Sequence, residues 1–204
     1  MIELAKLIIA EKPSLALNIV KSIGKMNRED GFYYNEDYIV TFAFGHLLKL
    51  YDIDDYFDRK KTYWNLEELP FVPGKFKFKL PDDPGIKKQY KIIKNLMKRS
   101  DVDEIINCGD ADREGEVIIN NIIYRIFEEE RINKKIKRLW LPEQTEQTIL
   151  KELKELKELK DIELSKNLYN EGLARTYIDW LYRNKFYKIY NFKSGGLHFL
   201  LGVY

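Results

Sequence analysis

The chain has 204 residues and a formal net charge of +2 at pH 7, a length that accommodates one complete domain and part of another at about 100–200 residues per domain. Hydrophobic residues make up 45% and charged residues 33%, which allows a packed core and excludes long disorder. The longest apolar stretches, residues 7–10 and the neighbourhood of 117–123, fall far short of the roughly 20 residues of a membrane span. Residues 1–6 are followed by no stretch of signal-peptide length. Cys108 is the single cysteine, which excludes an internal disulfide framework and a cysteine-based zinc site. Together these features point to an intracellular, cytoplasmic protein with no membrane partner. The charge is uneven: residues 87–99 are basic and residues 101–116 are rich in acid.

Residues 6–10 (KLIIA) form an almost continuous apolar run, the signature of a strand buried on both faces of a parallel sheet. The run ends at Glu11-Lys12-Pro13-Ser14, with Ser14 expected to cap a helix carrying Leu15, Ile19, Val20 and Ile23, and with Gly24 as its stop. Residues 32–34 and 38–44 flank Asn35-Glu36-Asp37 and predict a hairpin. Residues 75–80 alternate lysine with apolar residues and predict a half-exposed strand. Asp82-Asp83-Pro84-Gly85 opens a helix reaching about Arg99.

A second buried strand is expected at 104–108, followed by Gly109-Asp110-Ala111-Asp112-Arg113-Glu114-Gly115-Glu116 and an amphipathic helix through Val117, Ile118, Ile122 and Ile126. A third strand is expected at 138–141, closed by Pro142. Residues 143–160 read as one helix containing LKELKELKELK. Its leucines repeat every three residues and sweep around the helix, so a solvated surface helix is expected, in which Leu153→Ala matters little. A further helix is expected at 168–183. Strands alternating with helices predict an α/β fold with a parallel sheet covered on both sides.

Two acidic groups fall at the ends of expected parallel strands: Glu11 after the first, and Asp110, Asp112 and Glu114 after the second. In open α/β sheets, functional groups gather outside the carboxyl ends of the strands, so neighbouring strands would bring these carboxylates together. Such a cluster calls for a counter-charge, and a hard divalent cation such as Mg²⁺, with oxygen ligands, supplies it. Asp110→Asn with Asp112→Asn is then expected to relieve repulsion and raise stability. A carboxylate outside the metal shell has its pKa raised by acidic neighbours and serves as general acid or base. With Lys12 or Arg113 as a nearby cation, the layout suits phosphoryl transfer. His46 by itself reads as a solvated loop histidine, and Cys108 as inert in a buried strand.

Glu11-Lys12-Pro13-Ser14, then Phe44-Gly45-His46-Leu47-Leu48, then Asp110-Ala111-Asp112-Arg113-Glu114-Gly115-Glu116 resemble, in that order, the toprim domain of type IA DNA topoisomerases. The resemblance is closest to the topoisomerase III branch. Arg138-Leu139-Trp140 with Glu143-Gln144-Thr145 resembles the segment closing that domain, and residues 174–181 (ARTYIDWL) resemble the family's entry into a DNA-binding domain. The resemblance covers roughly residues 5–183 and implies a Rossmann-like toprim domain over 1–145, followed by the helical start of the next domain over 146–204.

By that resemblance, Glu11 is the general acid/base beside the scissile phosphate, Lys12 contacts that phosphate and Arg113 supports the site. Asp110, Asp112 and Glu114 hold Mg²⁺. His46 lies near DNA, and Arg175 and Asp179 match single-strand-binding positions. The implied reaction breaks and reseals single-stranded DNA through a tyrosine. None of the 14 tyrosines here has the family's Y-P-R-T or Y-T-R-T context, however, and residues 184–204 depart from the family pattern. The implied reading is therefore an N-terminal portion of a topoisomerase III that, without its tyrosine-bearing remainder, does not relax DNA. A stand-alone toprim nuclease or nucleotidyl transferase is the alternative. A non-catalytic binding module, resting on the basic residues 87–99 and the K-E-L helix, is a third.

Overall fold

A computed structural model describes residues 5–57 and 70–184. In chain order the elements are β1 (Ala5–Ala10), α1 (Pro13–Ile23), β2 (Asn27–Glu29), β3 (Phe32–Tyr34), β4 (Tyr38–Phe42), β5 (Lys49–Leu50), α2 (Ile53–Tyr56), β6 (Phe78–Lys79), α3 (Pro84–Lys98), β7 (Val102–Cys108), α4 (Arg113–Glu130), β8 (Lys135–Arg138), α5 (Glu146–Lys154), β9 (Lys157–Glu158) and α6 (Glu163–Tyr182). Seven strands join in the order β2-β3-β4-β1-β7-β8-β9. The central four, β4-β1-β7-β8, are parallel, and the flanking pairs are antiparallel. The expected α/β architecture, a largely parallel sheet flanked by helices, is what the chain adopts.

The apolar run of β1 explains its central place. Leu7, Ile8, Ile9 and Ala10 are all fully buried, as a strand covered on both faces requires. Alternation sends Ile8 and Ala10 to one face, where they join Leu15, Ala16 and Ile19 of α1, Ile106 and Cys108 of β7, and Ile149 and Leu153 of α5 in a single cluster. On the other side lie α3 and α4, which contact each other and β7. Pro84 opens α3 under an Asp83 cap that accepts from the Ile86 N–H at 2.8 Å. The turn of the β3–β4 hairpin is closed by Asn35, whose side-chain oxygen accepts from the Asp37 and Tyr38 amides at 3.0 and 2.8 Å.

Four expectations are corrected. Ser14 does not cap α1: Pro13 occupies the first turn and Lys12 stands at the cap position, with no side-chain cap bond, because the fixed φ of proline already starts the helix. The third strand runs over Lys135–Arg138 rather than 138–141, its register fixed by pairing Ile105 with Ile136 and Asn107 with Arg138. The strand expected at 75–80 is reduced to Phe78–Lys79, which pairs with β5. The K-E-L run is not one solvated helix. It ends as α5 at Lys154, continues as β9 and then makes a 3₁₀ turn over Leu159–Asp161. Ile149 and Leu153, four apart on one face, lie in the core, and Leu159 is buried as well. A three-residue repeat cannot keep one helix face buried, so successive leucines reach the core from different elements.

The chain divides into two compact units, residues 1–49 with 80–172, and residues 50–79 with 173–204. The first holds the seven-stranded sheet. In the second, Phe76 stacks on Tyr177 at 4.0 Å, and the buried Trp180 packs edge-on to Phe76, Phe71 and Tyr56 while donating to the Tyr51 carbonyl at 2.8 Å. No helix among the described residues is long and apolar enough to cross a membrane. Apart from Asn184, the segment 184–204, singled out for its departure from the family pattern, lies outside the described residues.

Candidate active site at the carboxyl ends of the parallel strands

β1 and β7 are neighbours, with Ala10 opposite Cys108, so the loops that follow them emerge side by side. The Glu11 N–H donates to the Cys108 carbonyl at 3.2 Å and prolongs the ladder by one residue. The Glu11 side chain turns toward the second loop, where its Oε2 accepts from the Asp110 N–H at 2.9 Å. Removal from water is the largest influence on this carboxyl and raises its pKa above the ordinary carboxylate value. The Asp110 N–H opposes that shift, and the Asp110 charge adds to it.

Lys12 Nζ donates to Asp110 Oδ2 at 2.6 Å, and that bond raises the pKa of the ammonium. Asp112 caps α4, its Oδ1 accepting from the Gly115 N–H at 2.8 Å. Glu114, its side chain 69% exposed, extends toward His46, with Oε1 3.5 Å from Nε2. Arg113 pairs with Glu171 of α6 at 2.6 Å.

Glu11, Lys12, Asp110 and Asp112 are thus brought into one neighbourhood, and His46 joins it through Glu114. The expected convergence of the acidic side chains is not what the loops form: each carboxylate has its own partner, and the described residues contain no group of three metal-ligating side chains. The predicted rise in stability from Asp110→Asn with Asp112→Asn loses its basis, since one carboxylate is neutralised by Lys12 and the other is a helix cap. Arg175 and Asp179 belong to the second unit, 3.9 Å apart on one face of α6.

The donor set still fits a hard cation. Asp110 engages Lys12 through Oδ2 and Asp112 caps through Oδ1, which leaves an all-oxygen pair two residues apart. Mg²⁺ characteristically takes only one or two protein carboxylates and fills its remaining positions with water and phosphate.

Sequence reasoning missed the residues that hold these loops in place. Gly109 and Gly115 cross so closely that a Cβ on Gly109 would meet the Gly115 carbonyl, and one on Gly115 would meet the Asp110 backbone and, at 2.8 Å, Glu11 Oε2. Beneath them lies a buried polar network. Arg138 Nε donates to Glu116 Oε1 at 2.7 Å, with both side chains fully buried. The same guanidinium donates to the carbonyls of Leu139 at 2.6 Å, Asp110 at 3.1 Å and Asn107 at 3.3 Å. Glu116 Oε2 accepts from Asn120 at 2.9 Å and from Ser165 at 2.7 Å, while Asn107 bonds Asn120 and the Gly109 N–H, each at 2.9 Å. The acidic loop is therefore held from below by an arginine. The available signal was Glu116 and Asn120, polar residues four apart amid the apolar positions of α4.

Cys108 is buried, with its thiol pushed up to about 12 by loss of water, which disfavours the reactive thiolate. The basic residues 87–99 are largely neutralised: Lys88 pairs with Asp30 at 2.6 Å, Lys94 with Glu130 at 2.9 Å, Lys98 with Glu130 at 2.6 Å and Arg99 with Asp101 at 2.6 Å, and Lys87 pairs with Asp82.

The Toprim domain model matches residues 6–144. The chain is 40% identical over 173 residues to DNA topoisomerase 3 of Bacillus thuringiensis (strain Al Hakam), covering 85% of this chain and 22% of that protein. It is 34% identical over 174 residues to DNA topoisomerase 3 of Bacillus subtilis (strain 168), covering 85% and 23%. Against DNA topoisomerase 3 of Staphylococcus epidermidis it is 35% identical over 176 residues, covering 86% and 23%. The chain thus spans less than a quarter of the length of these curated relatives, and similarity to them covers most of its own. With the Toprim model matching more than half of its residues, on a parallel sheet whose strand ends present Glu11 beside the Asp110–Glu114 loop, the chain belongs to the Toprim domain family.

Proposed function

We propose that this chain supplies the metal-and-acid half of a type IA topoisomerase active site, acting on a phosphodiester of single-stranded DNA. The observation that carries the reading is the half-buried Glu11 carboxyl seated on the Asp110 N–H, with Lys12 bound to the Asp110 carboxylate in the same loop pair. A carboxyl with a raised pKa holds a proton to deliver to a leaving oxygen and recovers it when the strand is resealed. Lys12, poised in the same loop pair, moves from Asp110 to a phosphate oxygen as the strand binds. Asp110 and Asp112, with Glu114 at the rim, would hold Mg²⁺, which when bound would supply charge stabilisation for the phosphate. With Lys12 on the phosphate, the Asp110 carboxylate is released from its ion pair.

Arg113 supports the loop from its pair with Glu171. His46 lies along the DNA path, and Arg175 and Asp179 contact the strand from the segment that opens the next domain. Residues 1–145 act as the toprim domain and 146–204 as the start of the helical DNA-binding domain. The nucleophilic tyrosine comes from the remainder of a topoisomerase, and the protein works in the cytoplasm.

The test is incubation of the chain and its Glu11→Ala variant with 5′-labelled single-stranded DNA and Mg²⁺. Neither nicked product nor covalent adduct is expected from either protein. Metal-dependent nicking that disappears in Glu11→Ala would replace this reading with a self-sufficient toprim nuclease.

A further inference from the structure

A cavity of about 800 Å³ opens beside α4, β8 and the first turns of α6, within the first unit. Its size falls within the range of small-molecule sites, roughly 300–1,000 Å³. Three aromatic rings line it: Tyr124 and Phe127 from α4, and Tyr169 from α6. Tyr124 and Tyr169 meet edge to face at 5.8 Å, and Tyr124 is 42% exposed, so its ring contributes an open apolar wall. Lys135 and Lys166 stand on the lining as exposed residues, and Asn170 adds an exposed amide. Neither lysine has an ion pair among the described residues, in contrast to the neutralised lysines of α3.

The floor is rigid. Ser165 and Asn120, both lining residues, are buried and bonded to Glu116. Lys134, also on the lining, is tied to the carbonyls of Arg99 and Val102, so its charge is already engaged.

The lining combines aromatic rings with two cations that have no ion pair among the described residues, an amide and a single carboxylate, Glu158, a set that matches a flat ring carrying a negative group. We propose that this cavity binds a nucleotide unit, with the base stacked on Tyr124 or Tyr169 and the phosphate at Lys135 and Lys166. Stacking on aromatic side chains tolerates any base, because every base has a π-face, and lysine meets phosphate as a point charge. The same unit is available from a free nucleotide or from a stretch of single-stranded DNA. The site is distinct from the acidic loops and does not depend on metal there.

Amide ¹H–¹⁵N shifts of the whole chain, followed in EDTA, test the proposal without engaging the metal site. The probes are deoxyadenosine monophosphate, a short oligothymidylate and ribose 5-phosphate. Deoxyadenosine monophosphate, the oligonucleotide or both should shift residues 124–127, 134–136 and 166–170 saturably, and ribose 5-phosphate should bind at least about tenfold more weakly. Binding by the mononucleotide identifies a free nucleotide as the source, and binding by the oligonucleotide alone identifies the strand. Lys166→Glu, at an exposed position, should weaken binding by about tenfold or more, as should Tyr124→Ala. The proposal is overturned if neither nucleotide probe shifts these residues, if shifts appear only at residues 11–12 and 110–116, if ribose 5-phosphate binds equally well, or if both variants bind like the parent.

Discussion

Glu11 illustrates how one backbone N–H and partial burial set the character of a carboxyl. Loss of water raises its pKa and the Asp110 N–H only partly offsets that rise, so the folded state favours the protonated form more than the unfolded chain does. The sign follows: the stability gained from Glu11 is present below the ordinary carboxylate pKa and is lost as pH rises through the raised, folded value. Urea unfolding in EDTA between pH 4 and 8 should therefore show Glu11→Gln gaining stability relative to the parent as pH increases. A constant difference across that range would mean that Glu11 titrates normally.

Arg138 acts at the same scale in the opposite sense. It is a buried cation whose partner Glu116 is equally buried, and removing one member leaves an uncompensated charge. Arg138→Ala should cost about 3–5 kcal/mol and should also loosen the Asp110 loop, whose carbonyl it holds. Thermal unfolding of Arg138→Ala checks the first effect, and amide exchange at residues 109–112 checks the second.

Among the elements, α5 departs furthest from its sequence pattern. The K-E-L run repeats every three residues and presents its leucines around a helix, yet α5 stops at Lys154 with Ile149 and Leu153 buried against α1 and the sheet. The decisive partners, Leu15, Ile19 and Leu139, are remote in sequence, so local periodicity could not disclose them. Leu153→Ala should cost about 2–5 kcal/mol, like other core leucines, and chemical denaturation measures it. A loss under about 0.5 kcal/mol, typical of a surface position, would return Leu153 to the solvated face.

The parallel strands β1 and β7 were legible, by contrast, because burial on both faces forces a continuous apolar run, and the caps and turns at Asp83 and Asn35 were legible because they are local chemistry. Ser14 was misread because Pro13 starts the helix without it. The acidic residues were legible as residue types at strand ends. Their separate partners were not: Lys12 for Asp110, a helix N–H for Asp112 and His46 for Glu114 are set by loop paths that depend on Gly109 and Gly115.

At the scale of the whole molecule, a seven-stranded sheet carries the candidate site at the carboxyl ends of its neighbouring strands β1 and β7, where α/β folds gather their chemistry. The similarity covers 85% of this chain but only 22% of a relative. It provides no tyrosine in the expected context.

The most direct measurement uses Mn²⁺ as a paramagnetic stand-in for Mg²⁺, added to the ¹⁵N-labelled chain with a short single-stranded oligonucleotide. Amides of Glu11, Lys12 and residues 110–114 should broaden first, and Asp110→Asn with Asp112→Asn should abolish that broadening while the spectrum stays folded. Broadening centred elsewhere, or unchanged in the double variant, would contradict a metal site on these carboxylates.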